Sequence, residues 1–250
     1  MLPSSDQLGA PYIQAVFSAT VAERYDEWYD EPWGRYADAL ERKLLVRLLC
    51  PRPGESVLDV GCGTGRYVRW LRGLGVRACG VDISEPMLRA SRGPDGTMPH
   101  VAAADAGRLP FPDASFDLAI AVSVLEFVRE PSLLLVEMRR VARRGLFLGV
   151  LNRRSLWARS LQADEHSILR HARLYTPGEL ARLLRAALPS ARFALRTTLL
   201  APPEAGTLRR AVGRLVDALP LASRLPWGAY IGVAVDLLHA QRSAATTCAS

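Results

Sequence analysis

Residues 56–67 read SVLDVGCGTGRY, and they carry most of what the sequence says about fold and ligand. The first five, Ser56–Val60, have the composition of a short buried β-strand, and Gly61, Gly63 and Gly65 follow at once. At the carboxyl end of a parallel strand, a glycine turn lets a ligand approach the backbone where a Cβ atom would collide, and it presents free N–H groups of the next helix. The stretch therefore predicts a strand, a ligand-binding turn and a helix.

Short β-type runs recur along the rest of the chain, with helix-like segments between most of them. Runs of about four to seven buried apolar residues separated by helices are typical of a parallel sheet with helices on both faces. Further strands are expected at residues 77–82, 100–103, 117–122, 145–151, 192–199 and 229–237. The pattern predicts an α/β protein.

The N-terminal part is expected to be helical over residues 14–49, with an aromatic interruption around Trp33 and Gly34. Pro51 and the residues that follow it stop that helix. We therefore divide the chain into an N-terminal helical cap of the same domain at 1–52, a ligand-binding domain at 53–242 and a flexible tail at 243–250.

Two helix starts carry capping signals. Ser84 can cap a helix over residues 85–92 through its hydroxyl oxygen. Thr176 and Glu179 have the spacing of a capping box, with Pro177 at the first helical position. Both positions predict helices that begin just after a polar loop.

The basic charge of the chain is not focused. Its 250 residues include 32 Lys and Arg against 25 Asp and Glu, which gives a net charge of +7. Lys43 is the only lysine, so 31 of these residues are arginines, and they are scattered along the sequence. A scattered excess gives no focused field, so solvated faces are favoured over a nucleic-acid surface.

Composition also bounds the location and the inorganic chemistry of the protein. The longest wholly apolar stretches are as short as a strand, for example Leu118–Val122. A membrane-spanning helix needs roughly 18 to 20 apolar residues, so none is predicted. The N-terminus has no basic residue ahead of an apolar run, so we expect a cytoplasmic protein. Four cysteines stand far apart without a CxxC pair, and no histidine lies at a ligand spacing from them, which predicts neither a metal site nor a disulfide framework.

The residues around the glycine turn narrow the choice of ligand. Asp82 closes the next strand 21 residues after Gly61 (82 − 61), the distance at which a carboxylate can receive both hydroxyls of a ribose. Arg66 stands where the dinucleotide fingerprint needs a small residue, and no P-loop is present. An adenosyl ligand without phosphates remains, and Asp59 suits its ammonium end.

Several motifs in order resemble one known family. LDVGCGTG (58–65), GVDIS (80–84), ADAGRLPF (104–111) and SFDLAIA (115–121) are similar to successive motifs of the class I S-adenosylmethionine-dependent methyltransferases. The closest resemblance is to the small-molecule branch that includes the ubiquinone and menaquinone enzymes, over about residues 12–237. It implies a Rossmann-like fold with a mostly parallel seven-stranded sheet, helices on both faces, an N-terminal helical cap and S-adenosylmethionine as cofactor.

The resemblance also implies a cofactor role for each matching position. Asp82 would hold the ribose, and Tyr25 and Tyr29 would close over the cofactor unless they serve only helix packing. Asp82 could instead merely cap the next helix. The full set implied to surround the cofactor is Tyr25, Tyr29, Asp59, Gly61, Cys62, Gly63, Gly65, Asp82, Ile83, Met87, Asp105, Ala106 and Val122. Of these, Cys62 is interpreted as a small buried residue rather than a nucleophile.

Methyl transfer is an in-line displacement, so the protein mainly has to align the acceptor about 3 Å from the methyl group. A general base helps where the acceptor is a hydroxyl, a thiol or an acidic C–H. Glu126 and His166 are the candidates, with His171 as a further one; each has an ordinary structural interpretation as a helix-turn carboxylate or a surface histidine. Relatives often have histidine where Phe127 stands, which weakens the case for a base there.

The acceptor is expected to be a small molecule bound by the N-terminal helices, the segment 152–175 and an insert over 202–225. The apolar, arginine-bearing insert suits an amphiphilic or anionic molecule. The alternatives left open are a non-catalytic cofactor-binding partner of another methyltransferase and an RNA or protein methyltransferase. Arg66 argues against an NAD-dependent dehydrogenase.

Overall fold

The computed structural model describes residues 10–91, 100–164, 167–200, 223 and 225–238. The helices are α1 (Ala10–Val16), α2 (Ala19–Arg24), α3 (Glu27–Asp30), α4 (Pro32–Leu49), α5 (Arg66–Gly73), α6 (Glu85–Arg89), α7 (Pro131–Val141), α8 (Leu156–Ala163), a 3₁₀ helix (Ile168–His171) and α9 (Pro177–Ala187). The strands are β1 (Ser56–Val60), β2 (Arg77–Asp82), β3 (Val101–Ala103), β4 (Phe116–Val122), β5 (Ala142–Leu151), β6 (Arg192–Thr198) and β7 (Tyr230–Asp236).

The strands form one seven-stranded sheet in the order β3-β2-β1-β4-β5-β7-β6. The first five strands in this order are parallel, and β7 runs antiparallel to both β5 and β6. The chain order reverses at β1, whose neighbours are β2 and β4. In an open α/β sheet a ligand binds outside the carboxyl ends of the strands at such a reversal. The predicted α/β fold is confirmed, and the glycine turn lies at this position.

Each face of the sheet is covered by its own hydrophobic cluster. On one face α7 and α9 pack on residues that include Leu58 and Val60. On the other face α4 and α5 pack on a cluster that includes Val57. Because successive side chains of a strand point to opposite faces, β1 contributes side chains to both clusters. Each large apolar side chain buried in this way contributes about 1.5–3 kcal/mol to the stability of the fold.

The N-terminal helices differ from the sequence prediction. The long helix is not interrupted around Trp33 and Gly34, which lie inside α4. The predicted helix is divided into α1 to α4, with breaks at 17–18, 25–26 and Glu31. The backbone of Glu31 is extended (φ −73°, ψ 151°) because it precedes Pro32, the first residue of α4. Gly34 instead permits close packing, since a Cβ there would lie 1.9 Å from the Trp28 carbonyl oxygen of α3.

Both predicted helix caps are confirmed. The Ser84 hydroxyl accepts a hydrogen bond from the Met87 N–H at 3.3 Å, although α6 is shorter than expected and residue 92 lies outside the described residues. Thr176 and Glu179 form the reciprocal capping box of α9. The predicted tail at 243–250 also lies outside the described residues. Within the described ranges, the helices are all too short or too polar to span a membrane.

Candidate functional site

The glycine turn between β1 and α5 uses left-handed backbone at all three glycines. The φ angles are +73° at Gly61, +54° at Gly63 and +74° at Gly65. A Cβ atom on Gly61 would lie only 2.4 Å from the side chain of Val124. Glycine is needed at Gly61 for two independent reasons, a backbone conformation that L residues rarely adopt and a close approach from the loop after β4.

The backbone N–H groups of the turn are mostly occupied by the protein itself. Gly61 and Cys62 both donate to the carbonyl oxygen of Val81, at 2.7 and 2.9 Å. Gly63 donates to the Asp82 carboxylate at 2.7 Å. These three N–H groups are therefore not available to a ligand, because the turn is anchored on the end of β2.

Asp82 lies at the centre of the site. Besides the bond from Gly63, its other carboxylate oxygen accepts from the Ser84 N–H at 2.8 Å. Burial raises the pKa of Asp82, and hydrogen bonds from Ser84 and Gly63 lower it in part. Because an anionic carboxylate is an acceptor only, it is suited to receive the hydroxyl protons of a bound sugar.

A cavity of about 320 Å³ opens beside Asp82 at the carboxyl edge of the sheet. This volume is at the lower end of the range for small-molecule sites. Nine of the thirteen predicted cofactor residues line it: Tyr25, Gly61, Gly63, Asp82, Ile83, Met87, Asp105, Ala106 and Val122. Asp105 is held there by a hydrogen bond from the Gly107 N–H to its carboxylate at 2.8 Å. The structure thus brings together residues from four separate sequence motifs.

The other four predicted residues do not line the cavity. Gly65 caps α5, and Cys62 points into the sheet, where a Cβ on Gly80 would lie 2.5 Å from the Cys62 Cβ. Burial, followed by the charges of Asp59 and Asp82, raises the pKa of the Cys62 thiol well above its usual value. Cys62 is therefore a packed, protonated thiol, which agrees with its interpretation from the sequence as a small buried residue.

Asp59 is 2% exposed and lies on β1, directly before the turn. Burial and, second, the charge of Asp82 raise the pKa of Asp59 to about 8. A buried carboxylate of this kind becomes ionised more readily when a cation lies next to it. The site therefore combines a hydroxyl-binding carboxylate with a second acid that a nearby cation would ionise.

Tyr25 and Tyr29 link the N-terminal helices to the turn. Tyr25 lines the cavity, and its ring lies next to that of Tyr29, with ring centroids 6.1 Å apart. The Arg66 guanidinium lies over the Tyr29 ring at 3.9 Å and pairs with Asp38 of α4 at 3.2 Å. Arg66, which argued against a pyrophosphate ligand, thus holds the helical cap against the start of α5.

Sequence reasoning missed part of the cavity wall. Phe17 and Ile13 come from the loop and helix at the N-terminus, and Ser123, Val124 and Phe127 come from the loop after β4. The rings of Phe17 and Phe127 meet edge to face with centroids 5.0 Å apart. Periodicity could not have found this contact, because it joins residues that are distant in sequence and lie in irregular segments.

The predicted catalytic bases are not at the cavity in the described structure. Glu126 is fully buried, and its carboxylate accepts from the Leu151 N–H at 2.7 Å. The ring of His171 is hydrogen-bonded to the Tyr12 hydroxyl at 2.5 Å. Burial, followed by the charge of Arg170, lowers the pKa of His171. His166 lies outside the described residues.

The comparisons with known proteins agree with this site. Residues 58–148 match a family model described as a methyltransferase domain. A malonyl-[acyl-carrier protein] O-methyltransferase of Serratia marcescens is 32% identical over 165 residues, which are 65% of this chain and 59% of that enzyme. The O-methyltransferase cnsE of Penicillium expansum is 35% identical over 161 residues, which are 60% of this chain and 57% of that protein.

Among solved structures, a SAM-dependent methyltransferase of Thermotoga maritima, described as a possible histamine N-methyltransferase, superposes with a TM-score of 0.66. The match covers 90% of this chain and 99% of that one at 24% identity, so it concerns the fold. The chain spans about three fifths of the length of the two curated relatives it matches here, 59% and 57%.

Together, the fold, the glycine turn and the match of residues 58–148 to a methyltransferase domain make this chain similar to the class I S-adenosylmethionine-dependent methyltransferases. The cavity fits the cofactor of that family. Gly61 keeps the space that a Cβ would fill, Asp82 presents a carboxylate to the cavity, and Asp59 is a buried acid before the turn.

Proposed function

We propose that this protein transfers the methyl group of S-adenosylmethionine to an oxygen atom of a small-molecule acceptor. The observation that carries the proposal is the cavity formed jointly by the glycine turn and Asp82. The choice of oxygen is supported by the two curated relatives, both of which are named O-methyltransferases.

Different residues of the site bind different parts of the cofactor. Asp82 binds the ribose hydroxyls, and the side chains of Ile83 and Met87 provide the apolar surface for the adenine. Asp105, at the far wall, meets the amino edge of the base. Asp59, before the turn, balances the ammonium group of the methionine part. The roles of Asp82, Ile83, Met87 and Asp105 rest on their positions around the cavity and on the motifs that they occupy. The role of Asp59, which does not line the cavity, rests on its motif and on its burial next to the turn.

When bound, S-adenosylmethionine supplies a methyl carbon activated by a sulfonium leaving group. The chain's own contribution is to orient the acceptor and to exclude water. Phe17, Tyr25 and Phe127 form the apolar wall between the N-terminal helices and the loop after β4. Alignment of this kind accounts for much of the rate acceleration that an in-line displacement needs.

The described residues that line the cavity include no histidine, and their carboxylates are Asp82, Asp105 and Glu130. Burial raises the pKa of Tyr25 to about 12, so its hydroxyl stays protonated at neutral pH. Asp82 already accepts two backbone hydrogen bonds, and Glu126 does not line the cavity. We therefore infer an acceptor oxygen that is already ionised at neutral pH, such as a carboxylate or an acidic phenol, because it needs no proton removed by the enzyme.

The test begins with calorimetric titration of S-adenosylmethionine into the full chain. A panel of carboxylic acids, phenols, aliphatic alcohols and amines is then incubated with the chain and methyl-labelled cofactor. We expect label in carboxylates or acidic phenols, and less of it with Asp82→Asn at the same, limiting cofactor concentration. Label only in amines would contradict the choice of oxygen, and failure to bind the cofactor would contradict the proposed function itself.

A further inference from the structure

A second concave surface lies after β5, on the same edge of the sheet as the cofactor cavity. We call it the arginine groove. Its lining residues are Arg153, Arg154, Arg159, Thr176 and Trp227. β5 is the immediate neighbour of β4, whose end lines the cofactor cavity, and β7 is the next strand beyond. The groove therefore follows the strand next to the one that ends at the cofactor cavity.

A fully buried asparagine holds the two sides of the arginine groove together. The Asn152 side-chain amide donates to the carbonyl oxygens of Pro226 and Gly228, both at 2.8 Å. Its own oxygen accepts from the Arg154 N–H at 3.0 Å. The loop that carries Trp227 is thereby fixed against the loop that carries the arginines. A binding surface held in this way loses less conformational entropy when a ligand arrives.

The groove carries uncompensated positive charge. Arg153 is paired with Glu179 at 2.6 Å. Arg154 and Arg159 have no carboxylate within 4.0 Å in the part of the chain that the structure describes. Two like charges that line one groove repel each other. An anion bound between them is attracted to both guanidinium groups and also reduces the repulsion between them.

The rim of the groove is apolar and exposed. The Trp227 side chain lines the groove, and the residue is 60% exposed. A large apolar side chain that is exposed beside a charged surface is available to an apolar part of a ligand. A ligand for this groove would thus combine an anionic group with an apolar part.

We propose that the arginine groove binds a phosphate group on the methyl acceptor, with the apolar part of the acceptor extending past Trp227 toward the cofactor cavity. A phosphate matches the two free guanidinium groups because it carries up to two charges and accepts forked hydrogen bonds from arginine. The inference rests on the proposed function, since it names the class of acceptor, but the groove is separate from the cofactor cavity.

The test uses hexyl phosphate as probe, titrated into the full chain at low ionic strength, with hexanol and inorganic phosphate as comparisons. We expect hexyl phosphate to bind at least about tenfold more tightly than hexanol. The variant Arg154→Gln/Arg159→Gln should weaken that binding by about tenfold or more. Its affinity for S-adenosylmethionine should stay within about twofold of the original. Both arginines are exposed, so the substitutions leave the fold intact.

The matched control is Arg47→Gln/Arg139→Gln, which also removes two positive charges, but from exposed positions on α4 and α7. An equal loss of hexyl phosphate binding in this control would overturn the proposal, because the effect would then be one of net charge. Tighter binding of an oligonucleotide that the groove variant abolishes would also overturn it. Uptake of S-adenosylmethionine without hexyl phosphate would refute the groove alone, whereas the reverse result would refute the proposed function and leave the groove as an anion site.

Discussion

The Asp82 carboxylate and the Gly63 backbone N–H are joined by a hydrogen bond of 2.7 Å across 19 residues of sequence. This bond ties Asp82, the proposed ribose-binding acid at the end of β2, to the middle of the glycine turn after β1. The parallel register of the two strands, in which Val60 pairs with Val81, brings the groups to the same edge of the sheet. The glycine turn and Asp82 therefore form one structural unit. A substitution in either one should change the conformation of the other.

Replacing Asp82 tests this unit directly. Asp82→Ala removes the acceptors for the Gly63 and Ser84 N–H groups and the carboxylate for the ribose, so we expect a stability loss of about 1–3 kcal/mol. We also expect S-adenosylmethionine to bind roughly a hundredfold more weakly, since hydrogen bonds to a charged group contribute about 1.5–3 kcal/mol each. Asp82→Asn keeps one acceptor oxygen, so its stability and its cofactor affinity should lie between those of the original chain and of Asp82→Ala. Calorimetry and thermal unfolding measure both effects; unchanged cofactor affinity in Asp82→Ala would refute the assignment.

The two glycines of the turn should differ in their tolerance of alanine. Gly61→Ala places a Cβ 2.4 Å from the branched side chain of Val124, whereas Gly63→Ala places one 3.2 Å from the mobile end of Met87. Both substitutions also cost about 1–2 kcal/mol for left-handed backbone. We expect Gly61→Ala to lose about 3 kcal/mol and Gly63→Ala about 1–2 kcal/mol in urea unfolding.

Adding Val124→Ala to Gly61→Ala isolates the steric part of that loss. The double variant should recover stability relative to Gly61→Ala alone, because the shorter side chain no longer meets the new Cβ. The same Val124→Ala change in the original chain should only destabilise. If the two single alanine variants at Gly61 and Gly63 were equally stable, the close approach of Val124 would not be what requires glycine.

Local rules predicted much of the fold. The limits of β1 and β2 agree with the structure, because short buried strands ended by glycine or aspartate have clear signals in sequence. The break before α4 was misplaced because the aromatic residues near Trp33 masked the stronger effect of Pro32 on the preceding residue. Propensity alone could not weigh one against the other.

The site was predictable where a motif carried it and not elsewhere. Asp82 and Asp105 were found because each lies at a fixed place after a strand. Phe17 was missed, although its carbonyl accepts a hydrogen bond from the Ser84 hydroxyl at 2.8 Å, because nothing in the sequence fixes which loop an N-terminal helix will meet. The burial of Glu126 likewise depends on the position of Leu151 on another strand.

Asp59 should make cofactor binding depend on pH. Burial and then Asp82 raise its pKa to about 8, so at pH 7 it is mostly protonated in the free chain. Only the ionised form balances an ammonium group, so affinity for S-adenosylmethionine should rise as pH increases toward and past 8. The amine of the cofactor titrates in a similar range, so the quantity to compare is the affinity ratio of the original chain to Asp59→Asn. That ratio should rise by about tenfold between pH 6 and pH 8.5; a constant ratio would remove Asp59 from the ammonium site.

Glu126 should make the stability of the fold depend on pH. Burial raises its pKa from 4.5 to about 7, and the hydrogen bond from Leu151 opposes that rise only in part. Its second carboxylate oxygen is buried without a hydrogen-bond partner among the described residues. Between pH 4.5 and 7 the folded chain therefore holds a proton that the unfolded chain has lost, so stability falls as pH rises through this window and the full penalty, about 3 kcal/mol, is present above pH 7.

Glu126→Gln removes that penalty without removing the acceptor for the Leu151 N–H. We expect this variant to match the original chain near pH 5 and to exceed it at pH 8 by up to about 3 kcal/mol in urea unfolding. Asp59 also has a pKa raised to about 8, but it is present in both chains and cancels in the difference. The Glu126 charge contributes to the raised pKa of Glu41, so its removal lowers that pKa and adds to the gain in stability at pH 8. If Glu126→Gln were the less stable chain at pH 8, the carboxylate would have to be stabilised by a partner, and its burial would then have a functional rather than a packing origin.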